Sequence, residues 1–212
     1  MAKINDGLFG GFSGKIGNVI GCKGRTGFYV RARPAHVSNP RTKQQQEHRG
    51  KFTLAMRLAC SLTSFLRVSY REFAGAGKPF HAAVSSFLKG AVIETDIGCK
   101  VDFDKVLVSR GSLTAIHKAK VESTESKVIY SWVDNSGEGN ALATDTALLV
   151  VFNKSRWEAI YEITSVLRSE GQAKLQLPFN WSNDPLAVYL GFRSQDGEVV
   201  ANSICLLNEV AK

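Results

Sequence analysis

The chain has 212 residues, is 44% hydrophobic and carries a formal charge of +8, long enough for one good core, or one core with a smaller appended element. That charge is uneven: residues 1–90 hold fifteen Lys and Arg against three acids, and residues 91–212 hold twelve against sixteen, giving consecutive segments of +12 and −4. No stretch approaches the roughly 20 apolar residues of a membrane span and no leader pattern opens the chain, so the expectation is a soluble protein without a classical secretion signal, cytoplasmic or virion-associated.

Eight of the nineteen glycines fall within the first thirty residues, among them Gly7, Gly10 and Gly17. Between them the chain alternates, which predicts a β-hairpin. Ile16, Asn18, Ile20 and Cys22 would share one strand face, the chain would turn at Lys23 to Thr26, and Phe28, Val30 and Ala32 would line a face of the returning strand with Tyr29, Arg31 and Arg33 behind. A two-stranded hairpin is marginal in water, so it must lie on its own fold or on a neighbouring molecule.

Pro34 and Pro40 bracket an extended connector, after which Thr42-x-x-Gln45 resembles a helix-starting box. Phe52, Ala55, Met56, Ala59, Leu62, Phe65 and Leu66 then recur at helical spacing, with Gly50 as a candidate bend. Arg41, Lys43, Arg49 and Lys51 fall largely off this stripe. Phe80, Val84, Phe87 and Leu88 suggest a second, shorter helix.

From Val101 the period changes to two. Val101 and Phe103, Val106 and Val108, Val128 to Trp132, Leu148 to Phe152, Ala173 to Leu177, Ala187 to Phe192 and Val199 to Leu207 predict about seven strands, separated by Gly, Asn and Pro turns. The expected class is mainly β with α: a basic Gly-rich hairpin arm with amphipathic helices over residues 1–97, and an immunoglobulin- or fibronectin III-like β-sandwich over 98–212 that folds alone.

No catalytic constellation emerges. The four histidines are scattered, no Ser sits in G-x-S-x-G, and Gly14-Lys15 lacks the flanking residues of a phosphate loop. Cys22, Cys60, Cys99 and Cys205 lie far apart without a zinc spacing, which leaves reduced thiols. Asp102 and Asp104 read as solvated. Asp134, Glu138 and Asp145 surround a Gly-containing loop without the spacing of a calcium loop. No metal, cofactor, enzyme activity or small-molecule substrate is expected.

The run Phe12-Ser13-Gly14-Lys15-Ile16-Gly17-Asn18-Val19-Ile20-Gly21, the segments Val30-Arg31-Ala32-Arg33-Pro34 and Asn39-Pro40-Arg41-Thr42-x-x-Gln45-x-x-x-Arg49-x-Lys51-Phe52, and Ser131-Trp132-Val133-Asp134-Asn135-Ser136 resemble a family of Bacteroidota proteins catalogued as a domain of unknown function. The Gly-Lys-Ile-Gly hairpin followed by Asn-Pro-Arg-Thr-x-x-Gln is also similar to short segments of small bacteriophage structural proteins.

The function expected from these features is non-enzymatic self-assembly into a virion-like particle, tube or filament. Ile16, Ile20, Phe28 and Val30 would form the assembly arm, and copies of the chain would be the partners. The alternative is a nucleic-acid-binding protein that contacts phosphates through Lys15, Lys23, Arg25, Arg31, Arg33, Arg41, Lys43, Arg49 and Lys51, with Phe28 and Tyr29 stacking on bases.

Overall fold

Residues 3–4, 11–36, 39, 41–95, 98–124, 126–163, 166–181 and 183–207 are described by a computed structural model. Gly7, Gly10 and Pro40 lie outside these residues. The chain divides into two compact units, residues 1–42 and 43–212.

The first unit is a meander of four antiparallel strands, β1 (Lys3–Ile4), β2 (Phe12–Ile16), β3 (Val19–Gly24) and β4 (Gly27–Ala32), hydrogen-bonded in that order. The expected turn at Lys23 to Thr26 joins β3 to β4. A second reversal, at Gly17 and Asn18, ends β2, so Ile16 lies opposite Val19 instead of continuing one strand with Ile20. Gly17 has φ +54°, a left-handed conformation that the two-residue turn requires. Gly21 is buried because the Phe12 ring and carbonyl occupy the space a Cβ would need.

The second unit begins with α1 (Lys43–Ser61), α2 (Thr63–Ser69), α3 (Arg71–Ala74) and α4 (Pro79–Gly90), followed by a hairpin of β5 (Val92–Thr95) and β6 (Gly98–Val101). Antiparallel strands β7 (Ala119–Ser123), β8 (Lys127–Trp132) and β11 (Gln172–Gln176) make a sheet in the order β11-β8-β7. Strands β9 (Thr146–Asn153), β10 (Glu158–Glu162), β12 (Leu186–Arg193) and β13 (Ile204–Leu207) make another in the order β10-β9-β12-β13. The architecture is thus mixed α and β, with several sheets.

Strands β9 and β12 are buried on both faces, which is why they read as continuous apolar runs and not as alternation. Leu148, Val150, Phe152, Ala187 and Tyr189 pack with Leu58, Leu62, Phe65, Leu66 and Phe87 of the helical segment. Leu149, Val151, Val188, Leu190 and Phe192 pack with Val128, Tyr130 and Trp132. The helices and the later strands therefore share a core, and the division between compact units falls after Thr42, not near residue 97. Each such fully buried aliphatic or aromatic side chain contributes about 1.5–3 kcal/mol.

Other expectations need correction. Phe52, placed on the buried stripe, is exposed, while Leu58 is buried in its stead. The helix runs unbroken through Gly50 and is interrupted at Leu62. Val106 and Val108 are buried without being strand residues: Val108 donates its N–H to Ser203 Oγ at 2.8 Å, and its carbonyl accepts from Ser69 Oγ at 2.7 Å. Side-chain hydrogen bonds there replace a ladder.

Two polar nodes fix the second unit. Arg168 is fully buried; its Nε donates to Asp145 Oδ2 at 3.1 Å, its other nitrogens donate to Asn135 Oδ1 and the Thr114 carbonyl, and its guanidinium stands 4.2 Å from the Phe192 ring centre. Trp132 Nε1 donates to the Arg168 carbonyl at 2.8 Å. Glu72 of α3 accepts from the N–H of Ser112 at 3.0 Å and of Val200 at 2.8 Å, joining the helical segment to two distant loops. Asp145, considered with the Gly-containing loop, is therefore committed to Arg168.

Candidate assembly surface

In an antiparallel sheet, directly opposed residues share a face. The β2–β3 and β3–β4 registers, Ile16 opposite Val19 and Val19 opposite Ala32, then Gly21 opposite Val30 and Lys23 opposite Phe28, put Ile16, Val19, Phe28 and Val30 on one face of the first unit. All four are exposed, at 47%, 38%, 40% and 58%. Ile20, expected with them, lies on the other face, where it is opposite both Lys15 and Arg31 and is partly buried. The residue missed was Val19, whose place is set by the Gly17-Asn18 turn.

Among the described side chains of residues 1–42, none is buried; Gly21 alone falls in that class. Its described residues therefore form a sheet with no buried side chain. Apolar surface of this kind, in so short a segment, lacks the burial that an independent fold requires.

The nine basic residues do not form one group. Lys15 and Arg31 share the face of Ile20, together with Tyr29, which is 56% exposed. Lys23 lies on the apolar face, its Nζ 5.5 Å from the Phe28 ring centre. Arg25 stands in the β3–β4 turn and Arg33 just past β4, where its N–H donates to the Asn18 carbonyl at 2.8 Å. Arg41 has φ +45°. Phe28 and Tyr29, paired as candidate base-stacking groups, point to opposite faces because adjacent strand residues alternate.

The remaining three sit on α1 of the second unit. Lys43 is 3.9 Å from Glu47 one turn on, and Lys51 is paired with Glu94 of β5. The hydrogen bond to Glu94 raises the Lys51 pKa above its ordinary value, so this amine is committed to a carboxylate. Arg49 is an exposed helix residue. A groove of about 990 Å³ runs beside these residues, lined among others by Lys43, Glu47, Glu94 and Cys99. Of its charged side chains, Lys43 and Glu47 pair with each other and Glu94 pairs with Lys51.

Cys22, Cys60, Cys99 and Cys205 are all free thiols, and burial pushes the Cys205 pKa up to about 11. Among the described residues no group of His, Cys, Asp and Glu is arranged to hold a metal ion, and no helix is long and apolar enough to cross a membrane.

Neither a curated protein nor a solved structure matches the chain. A match that spans residues 11–207, from the meander to the last strand, places the protein in the Family of unknown function (DUF6266), to which this chain belongs.

Proposed function

We propose that the protein is a non-enzymatic, self-assembling structural subunit in which residues 1–42 make the contacts between copies. The observation that carries this reading is the exposed face of Ile16, Val19, Phe28 and Val30 on a sheet that buries no side chain among its described residues. Exposed apolar surface on an unpaired edge favours association with another chain. The short resemblance of the Gly-Lys-Ile-Gly turn region to phage structural proteins points the same way, as does a chain whose first ninety residues are +12 and whose remainder is −4.

We read the two sheets of the second unit as a β-sandwich of fibronectin III kind. Lettering β7, β8, β9, β10, β11, β12 and β13 as A, B, C, C′, E, F and G gives an A-B-E sheet and a C′-C-F-G sheet. These are the immunoglobulin-type pairings, with the fourth strand placed on the C-F-G side. The layer of helices on the outer face of the second sheet is an addition to that plan.

Lys15, Arg31 and the exposed Tyr29 on one face favour a second reading, in which this face meets nucleic-acid phosphates and bases. One experiment addresses both. Sedimentation of the full chain and of a chain lacking residues 1–42 should show oligomers for the first and a folded monomer for the second. Salt near 1 M should weaken the oligomer only in part, since the Debye length falls to about 3 Å while apolar contacts persist. The same number of subunits in both species refutes the assembly role. A full-length monomer that binds random duplex DNA or RNA, with affinity falling steeply in salt, establishes the second reading.

A further inference from the structure

Among the described residues, strand β4 is one of the two outer strands of the first unit's sheet, opposite the two-residue β1, and its six residues are all exposed. Other sheet edges differ. β10 carries Glu158 and Glu162, β7 carries Lys120 and Glu122, and the side chains of β13 are half-buried; charges of that kind discourage edge pairing. In β4 the one charge is Arg31, between Tyr29, Val30 and Ala32.

The direction of the backbone groups follows from the ladder. The hydrogen bond from Arg33 N to Asn18 O makes 18 and 33 a hydrogen-bonded pair, and alternation along the register then assigns the bonds to 20 with 31 and 22 with 29. The N–H and C=O groups of Phe28, Val30 and Ala32 consequently point away from β3, toward the free edge.

Resting on the assembly reading, we propose that β4 pairs with β4 of a second copy, antiparallel about a two-fold axis, with Val30 opposite Val30 of the partner copy. Outward-pointing residues must face one another in such a pair, which leaves few registers. The one centred on Arg31 opposes two guanidinium groups. Centring on Tyr29 leaves Arg31 opposite Gly27. Centring on Val30 sets Phe28 against Ala32, large against small, and places Tyr29 opposite Arg31 twice, so that each cation meets an aromatic ring. Phe28, Val30 and Ala32 share the face of Ile16 and Val19, so the apolar surfaces of the two copies become continuous across the axis.

Sedimentation equilibrium of full-length variants tests this pairing. Val30→Pro removes an N–H that faces outward, a substitution an edge strand accommodates without loss of its own ladder, and should raise the dimer dissociation constant roughly tenfold or more. Tyr29→Arg should weaken the dimer to a similar degree by setting a second guanidinium against Arg31 of the partner copy. Adding Arg31→Glu to Tyr29→Arg should restore association to within about threefold of the unaltered chain, since opposite charges then face one another.

Unchanged association of Val30→Pro, with the circular dichroism of the parent, overturns edge pairing. Failure of Tyr29→Arg with Arg31→Glu to reassociate overturns the register, because a pair centred on position 29 would keep the two introduced guanidinium groups against each other. Neither result touches the assembly reading, which falls only if the chain without residues 1–42 keeps the parent's number of subunits.

Discussion

Glu72 shows how one side chain serves two distant segments. Burial alone would raise its pKa, but the hydrogen bonds from Ser112 and Val200 outweigh that effect and hold the carboxyl below its ordinary value. A depressed folded value means that the carboxylate stabilises the fold above the unfolded value, near 4.3, and that this contribution disappears as pH falls through the lower folded value. Glu72→Ala should destabilise the protein by about 1–3 kcal/mol at pH 7, the cost of leaving N–H groups such as that of Val200 without an acceptor. In urea titrations the gap between the two proteins should shrink as pH falls below about 4; a gap independent of pH from 7 to 3 would contradict this account. None of it was legible in the sequence, since Glu72 and Val200 are joined only by tertiary structure. The motif over residues 131–136 is similar: it was visible as a resemblance, and its physical content, Trp132 and Asn135 both bonded to Arg168, needed the fold.

At the level of elements, legibility followed periodicity. Strands β8, β9, β11, β12 and β13 stood out because their apolar residues are consecutive or alternate cleanly. β7 and β10 were missed: Ala119–Ser123 and Glu158–Glu162 carry charges and half-buried residues in place of a strong apolar signal. The bend anticipated at Gly50 is absent, because packing of α1 overrides the weak local preference of one glycine. A Cβ at Gly50 would meet only Cys99 Sγ, at 3.8 Å, an ordinary contact. Gly50→Ala should therefore raise stability by about 0.5–1 kcal/mol, seen as a higher melting temperature; a lower one would show that this helix needs the missing Cβ.

On the scale of the molecule, the charge division sets the amino-terminal region apart, yet it does not coincide with the structural boundary. The +12 segment ends near residue 90, whereas the compact units separate after Thr42, because the basic helices bury an apolar stripe against β9 and β12. This changes what a fragment should do. Residues 98–212 alone would expose Leu148, Val150, Phe152, Ala187 and Tyr189, so that fragment should aggregate or bind a hydrophobic dye. Residues 43–212 should be soluble and unfold cooperatively. A well-behaved β-rich fragment from residue 98 would show that the helices are dispensable to the core. The double burial of β9 also bears on synthesis. Residues 148–152 leave the ribosome ahead of residues 186–192, with β10 as the next strand to emerge, so a hairpin of β9 and β10 can cover one edge while the other awaits β12. Until β12 pairs, this apolar strand keeps one edge open, the kind of edge at which incompletely folded chains aggregate.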